Sequence, residues 1–275
     1  MKKKIILILV TLITNLLYSQ DITCLYELKF KPNHNKDSLI TKMFYLDIDE
    51  SQSIFRSEFE RESDSLIYAR GLGIGSNAKF ITDLYAKKDL KINEIQKLII
   101  TPMMKNRFFI KINEELKWKI GNEKQKIGDL DCQKAELDYG GRHWTAWFAE
   151  SVNLREGPYI FHGLPGLIVK ITDMHLDYDF NLIQLKKVEK STFFAPKTTG
   201  KEISWTDFQK IIQNYYNDFL YDVKSSGVKY TIVDDRENVT TLNQKTLQKK
   251  HQNNLKNNDS NLIELNKMIL FDQCK

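Results

Sequence analysis

Five histidines stand in the 275-residue chain, at positions 34, 143, 162, 175 and 251. Imidazole can act as metal ligand, general base or proton shuttle near neutral pH, so their spacing is the first thing to read. No pair falls in H-E-x-x-H or a comparable ligand spacing. His143, His162 and His175 lie where a sheet would bring them together beside Asp173 or Asp177. That constellation is the expected site if the protein is a hydrolase or a metal-handling accessory. No G-x-S-x-G elbow presents a nucleophilic serine, and the carboxylates show no pairing that marks a glycosidase. Arg70-Gly71-Leu72-Gly73-Ile74-Gly75-Ser76 fails the G-x-G-x-x-G spacing and reads as a loop. Cys24, Cys132 and Cys274 match neither a zinc pattern nor C-x-x-C; one disulfide with one thiol, or three thiols, both fit. No catalytic, cofactor-binding or metal-ligating residue is assigned on this basis, and folding is expected to need no metal.

The elements that would position these side chains are mostly strands. Leu25–Phe30, Ile40–Ile48 and Ile54–Glu60 are rich in β-favouring residues and separated by polar breaks. Asp131 to Ala149 reads as a hairpin turning at Gly140-Gly141, a two-residue loop able to take positive φ. That register sets Leu137 opposite Trp144, Ala135 opposite Ala146 and Gln133 opposite Phe148, all on one face. Leu167, Val169 and Ile171 alternate next, then Tyr178, Phe180 and Leu182. One helix is predicted late. Ser204 with Asp207 makes a capping-box start, and Phe208, Ile211, Ile212, Tyr215, Phe219 and Val223 recur at helical spacing. The expected fold is α+β and mainly antiparallel: a curved sheet, meander or half-barrel, with one long amphipathic helix packed on it. Asn261 to Phe271 reads as an apolar tail docking back.

Composition bounds the function. With 41% hydrophobic residues, five prolines and twelve glycines, the chain is neither disordered nor low in complexity. Lys2, Lys3 and Lys4 followed by an apolar stretch to Leu17 and by Ser19 form an export signal over residues 1–19. Its removal leaves 38 basic against 36 acidic side chains, a charge of +2 that gives no footprint for nucleic acid. Nothing after residue 20 is long and apolar enough to span a bilayer as a helix. One domain from 20 to 275, in the periplasm or at the cell surface, is the expected organisation.

Glycines 140, 141, 157, 163 and 166 crowd one region with Pro158 and Pro165, and residues 163–168 read Gly-Leu-Pro-Gly-Leu-Ile. This segment resembles the GLPGLI family of exported Bacteroidota proteins. Ile127-Gly128-Asp129, Cys132-Gln133-Lys134-Ala135, Thr145-Ala146-Trp147-Phe148 and the ending Asn261-Leu262-Ile263-Glu264-Leu265 are similar to that family as well. The family implies export but no established activity, and so no catalytic residues or cofactors. Leu164-Pro165-Gly166-Leu167 fits a type II turn, with Pro165 at i+1 and Gly166 at positive φ. Gly163, Leu164, Pro165, Gly166, Leu167 and Ile168 are therefore expected to be structural. The function expected is a non-enzymatic module that binds an apolar ligand or a cell-envelope protein, since 15 Phe, 12 Tyr and 4 Trp could line a cavity.

Overall fold

The hairpin predicted around Gly140-Gly141 forms with that register in the computed structural model, which describes residues 21–71, 73–74, 84–188, 200–231, 244–258, 260–269 and 271. Leu137 faces Trp144, Ala135 faces Ala146 and Gln133 faces Phe148 across strands β8 (Leu130–Tyr139) and β9 (Arg142–Ala149). Gly140 and Gly141 have φ of 65° and 80°, the pair of positive values a type I′ turn requires. The segment expected to be an export signal, residues 1–19, and Cys274 lie outside the described residues, as do Leu72, Gly75 and Ser76 of the glycine-rich loop.

Ten further strands extend this hairpin into one open sheet. They are β1 (Asp21–Phe30), β2 (Ile40–Ile48), β3 (Gln52–Ser57), β4 (Ala86–Asp89), β5 (Glu94–Ile100), β6 (Arg107–Ile112), β7 (Lys119–Ile127), β10 (Leu167–Asp173), β11 (Tyr178–Val188) and β12 (Lys201–Glu202). The strand order is β12-β6-β5-β4-β3-β2-β1-β11-β10-β9-β8-β7, and every ladder is antiparallel except the short one between β12 and β6. Lys97 on β5 and Tyr139 on β8 are eight strand spacings apart in that order. On a flat sheet that is about 38 Å. Both side chains nevertheless reach the carboxylate of Glu264, at 3.2 Å each. The sheet therefore wraps around its inner face. Tyr26, Phe44, Phe55, Trp144, Phe148 and Phe180 are fully buried there in one continuous core.

The helices depart from expectation. Ile54–Glu60 is not one strand: β3 stops at Ser57, whose hydroxyl caps helix α1 (Glu58–Arg70) by accepting from the amide of Glu60. Gly71 closes α1 at φ 78°. The segment Glu58-Phe-Glu-Arg-Glu-Ser-Asp-Ser mixes charges around the whole circumference, so no apolar stripe announced it. This helix covers a buried ionic network on the sheet's other face. Arg56 donates to Asp64 at 2.6 Å and Asp47 at 3.2 Å, and Tyr85 donates to Asp64 as well. The single long late helix is also corrected. Helix α2 (Trp205–Asn217) has the predicted Ser204–Asp207 capping box but ends at Asp218, which is extended at φ −148°. The Asp218 carboxylate accepts from the amide of Leu220, a local bond that competes with helix continuation. A second helix, α3 (Tyr221–Ser225), then starts afresh, and α4 (Gln244–Asn258) packs beside α2.

Candidate functional site

The Gly163–Ile168 segment does not form the turn predicted for it. Gly166 does not adopt positive φ; Gly163 does, at +95°. What Gly166 supplies is proximity. A Cβ there would stand 2.3 Å from the carbonyl oxygen of Ala149, so no larger residue fits between this loop and β9. Leu167 and Ile168 are fully buried at the start of β10, and their amides donate to Val152 and Glu156 carbonyls in the preceding loop. That loop threads the interior of the curved sheet. Tyr159, Ile160 and Phe161 are fully buried in it, and Tyr159 is held at φ 54°, a region a tyrosine rarely occupies. Phe161 packs on Trp144 with ring centres 4.7 Å apart.

Three buried cationic side chains fix this interior, none of them singled out by the sequence reading. Lys88 donates to Glu156 at 2.7 Å and to the carbonyls of Gly157 and Phe161, while the Ser53 hydroxyl donates to the same carboxylate. Lys97 donates to Glu264 and to the Tyr159 hydroxyl, and Tyr139 and Tyr159 each donate to Glu264. Burial and the adjacent Glu264 carboxylate raise Tyr159 well above an ordinary phenol, so both tyrosines stay protonated donors. Arg142 donates to Asp173 at 3.0 Å and Asp177 at 3.1 Å, and to the side chain or carbonyl of Asn261, Leu262 and Ile263. Asn261 to Glu264 are buried as a strap across the open side of the sheet. The predicted docking tail is thus real, and the ending that carries the resemblance is the part most deeply held. The free thiols Cys24 and Cys132 are buried. Burial first, then Asp47 and Glu156, push the Cys24 thiol up to about 12, which removes it as a nucleophile.

Solvent meets this network in a cleft of about 600 Å³ at the Gly140-Gly141 end of the sheet. His34, His143 and His175 line it, with Asp138, Met174 and Asn266. The expected trio is thereby corrected. His143 and His175 come together, but His34 replaces His162, which sits elsewhere between the Ile160 carbonyl and Asn93. Sequence separation hid His34: the loop after β1 reaches the β10–β11 turn only because β1 pairs along the whole of β11. Nδ1 of His34 is 2.5 Å from Asp177, and Nδ1 of His143 is 2.8 Å from Asp138. Burial pushes the Asp177 carboxyl up, but hydrogen bonds from His34 and Arg142 outweigh it and hold the group below the ordinary carboxylate range. His251 lies apart on α4 against Tyr215 and Phe219. Among the described residues, no three His, Cys, Asp or Glu side chains already converge as a metal cage. No described helix is long and apolar enough to cross a membrane.

No protein-family model and no curated protein matches the sequence. The likeness found is one of fold. A solved structure of PNGF-II in a C2 crystal form aligns with 70% of this chain at 15% identity and a TM-score of 0.50. The P21 form of the same protein gives 0.48 over the same share. The chain spans 33% of the length of PNGF-II, about one third of that protein.

Proposed function

We propose that the chain is an exported protein of the GLPGLI type, acting as a non-enzymatic binding module of the cell envelope whose partner is another protein. One observation carries this reading. Met174 and Leu176, on the turn between β10 and β11, are 67% and 62% exposed beside the histidine cleft. An apolar pair rimmed by polar groups is a common character of docking surfaces. The aromatic residues that suggested an apolar ligand cavity instead pack on one another: Trp144, Phe161, Tyr178 and Phe180 fill the interior. A protein partner therefore fits better than a small apolar ligand. The residues lining the cleft include no Ser, Thr or Cys, so a hydrolase with a side-chain nucleophile gains no support from it.

The test is a photo-crosslinking residue placed at Met174 in the protein's own host, against the same residue at Tyr68, exposed on α1 and not among the residues lining the cleft. A discrete protein adduct from position 174 alone is expected. Equal labelling from both sites, or none, sinks the reading, and a lipid or other small molecule retained in native mass spectrometry redirects it to a ligand. Export is tested separately by N-terminal sequencing. A mature start at Gln20 or Asp21 is expected, and recovery of Met1 refutes it.

A further inference from the structure

The three cleft histidines share an arrangement that docking of a partner does not explain. His34 and His143 each direct Nδ1 at a carboxylate, Asp177 and Asp138. An ionised carboxylate only accepts, so in each neutral ring Nδ1 carries the proton and Nε2 keeps its lone pair. Neither Nε2 has a hydrogen-bond partner among the described residues. His175 makes no hydrogen bond there at all, its ring standing edge-on to His34 with centres 5.9 Å apart. A carboxylate holding Nδ1 while Nε2 stays bare is the support that orients metal-ligating histidines. Two imidazoles bound at about 2.0–2.1 Å to one ion have ring centres roughly 5–6 Å apart, so His34 and His175 already stand at a ligating separation.

We propose that this cleft binds one divalent first-row transition-metal ion, with His34 and His175 as the primary donors and His143 as the third. Imidazole donors without thiolate suit Cu²⁺, Zn²⁺ and Ni²⁺, and leave Mg²⁺ and Ca²⁺ without the oxygen ligands they require. The three rings do not meet at one point without the ion. The His143 side chain is 39% exposed and its partner Asp138 is 72% exposed, so both can swing toward the His34–His175 pair with the Nδ1 hydrogen bond kept. Water, or a donor from a bound partner, would complete the coordination. The site goes beyond the docking reading and stands or falls independently of it.

Isothermal titration of the untagged full chain with ZnCl₂ and with CuCl₂, in a non-chelating buffer, tests it. One equivalent should bind with micromolar affinity, Cu²⁺ the tighter as the Irving–Williams order requires. His34→Asn and His175→Asn should each weaken binding by about tenfold or more, comparable to the loss of a metal-supporting group. His143→Asn should weaken it less, while His162→Asn and His251→Asn leave it unchanged. MgCl₂ should give no heat of binding. Each variant is melted alongside, and His→Gln replaces any that unfolds early, so that loss of binding is not loss of fold. Absence of heat with both metals overturns the site. Full binding by the His34→Asn, His175→Asn double variant does so equally.

Discussion

Arg142 and His143 are neighbours on β9, yet they belong to two different regimes. The Arg142 side chain is 1% exposed, lies between Asp173 and Asp177, and also binds three residues of the C-terminal strap. His143 is 39% exposed and has one partner, Asp138, which is itself 72% exposed. The residue types are alike, a cation or potential cation facing acids. Burial separates their roles. In water such a pair contributes little, because solvent screens it and both side chains must be immobilised. Inside the sheet, each charge depends on the others being present. The buried network therefore holds the fold, and the rim pair contributes little to it.

The contrast breaks if removing Arg142 is tolerated. Arg142→Ala strands Asp173 and Asp177 without their cation and should cost about 3–5 kcal/mol, read from urea denaturation at neutral pH. Restoring much of that loss by adding Asp173→Asn and Asp177→Asn would show that uncompensated charge, rather than lost packing, is the cause. Leu167→Ala, at a fully buried strand start, should cost roughly 2–5 kcal/mol by emptying core volume. Gly166→Ala forces a methyl against the Ala149 carbonyl and should cost about 1–3 kcal/mol. A Gly166→Ala protein that melts like the wild type would mean the loop moves away freely, and the motif is not a packing device.

Acid sharpens the same comparison. The fold favours ionised Asp177, since its hydrogen bonds to His34 and Arg142 outweigh its burial. Its contribution is thus present above the unfolded carboxylate value of about 3.9 and is lost as pH falls through the lower native value. Urea midpoints followed from pH 7 downward should fall in that acid window, and Asp177→Asn should flatten the fall. An unchanged slope in the variant would remove Asp177 from the coupling. The smallest effect is expected at the rim, where His143→Asn should shift stability by no more than about 0.5 kcal/mol.

The readable parts of this molecule were those governed by near neighbours. A two-residue glycine turn with alternating apolar residues fixed the β8–β9 register, since one slip would turn every side chain to the wrong face. Ser204 and Asp207 announced the start of α2 because capping is a bond between residues three apart. Helix α1 was not legible, because its mixed charges face a buried ionic network rather than an apolar core. The break after α2 was missed for a related reason. Apolar spacing continues through Phe219 and Val223, while the Asp218 side chain bonds to the Leu220 amide and redirects the backbone.

The amino-acid sequence alone determined the antiparallel class, the hairpin, the cap and the docking of the final segment, all set by period, turn chemistry and local bonds. Only the tertiary structure decided why Gly166 is glycine: the reason is a carbonyl from β9, seventeen residues earlier at Ala149, not its own φ. It alone joined Lys97, Tyr139 and Tyr159 on Glu264, and exchanged His162 for His34 in the cleft. Those meetings depend on the curvature and strand order of a twelve-stranded sheet. Contacts between residues more than a hundred positions apart carry no periodic signal along the chain, because their geometry exists only once the intervening strands have paired.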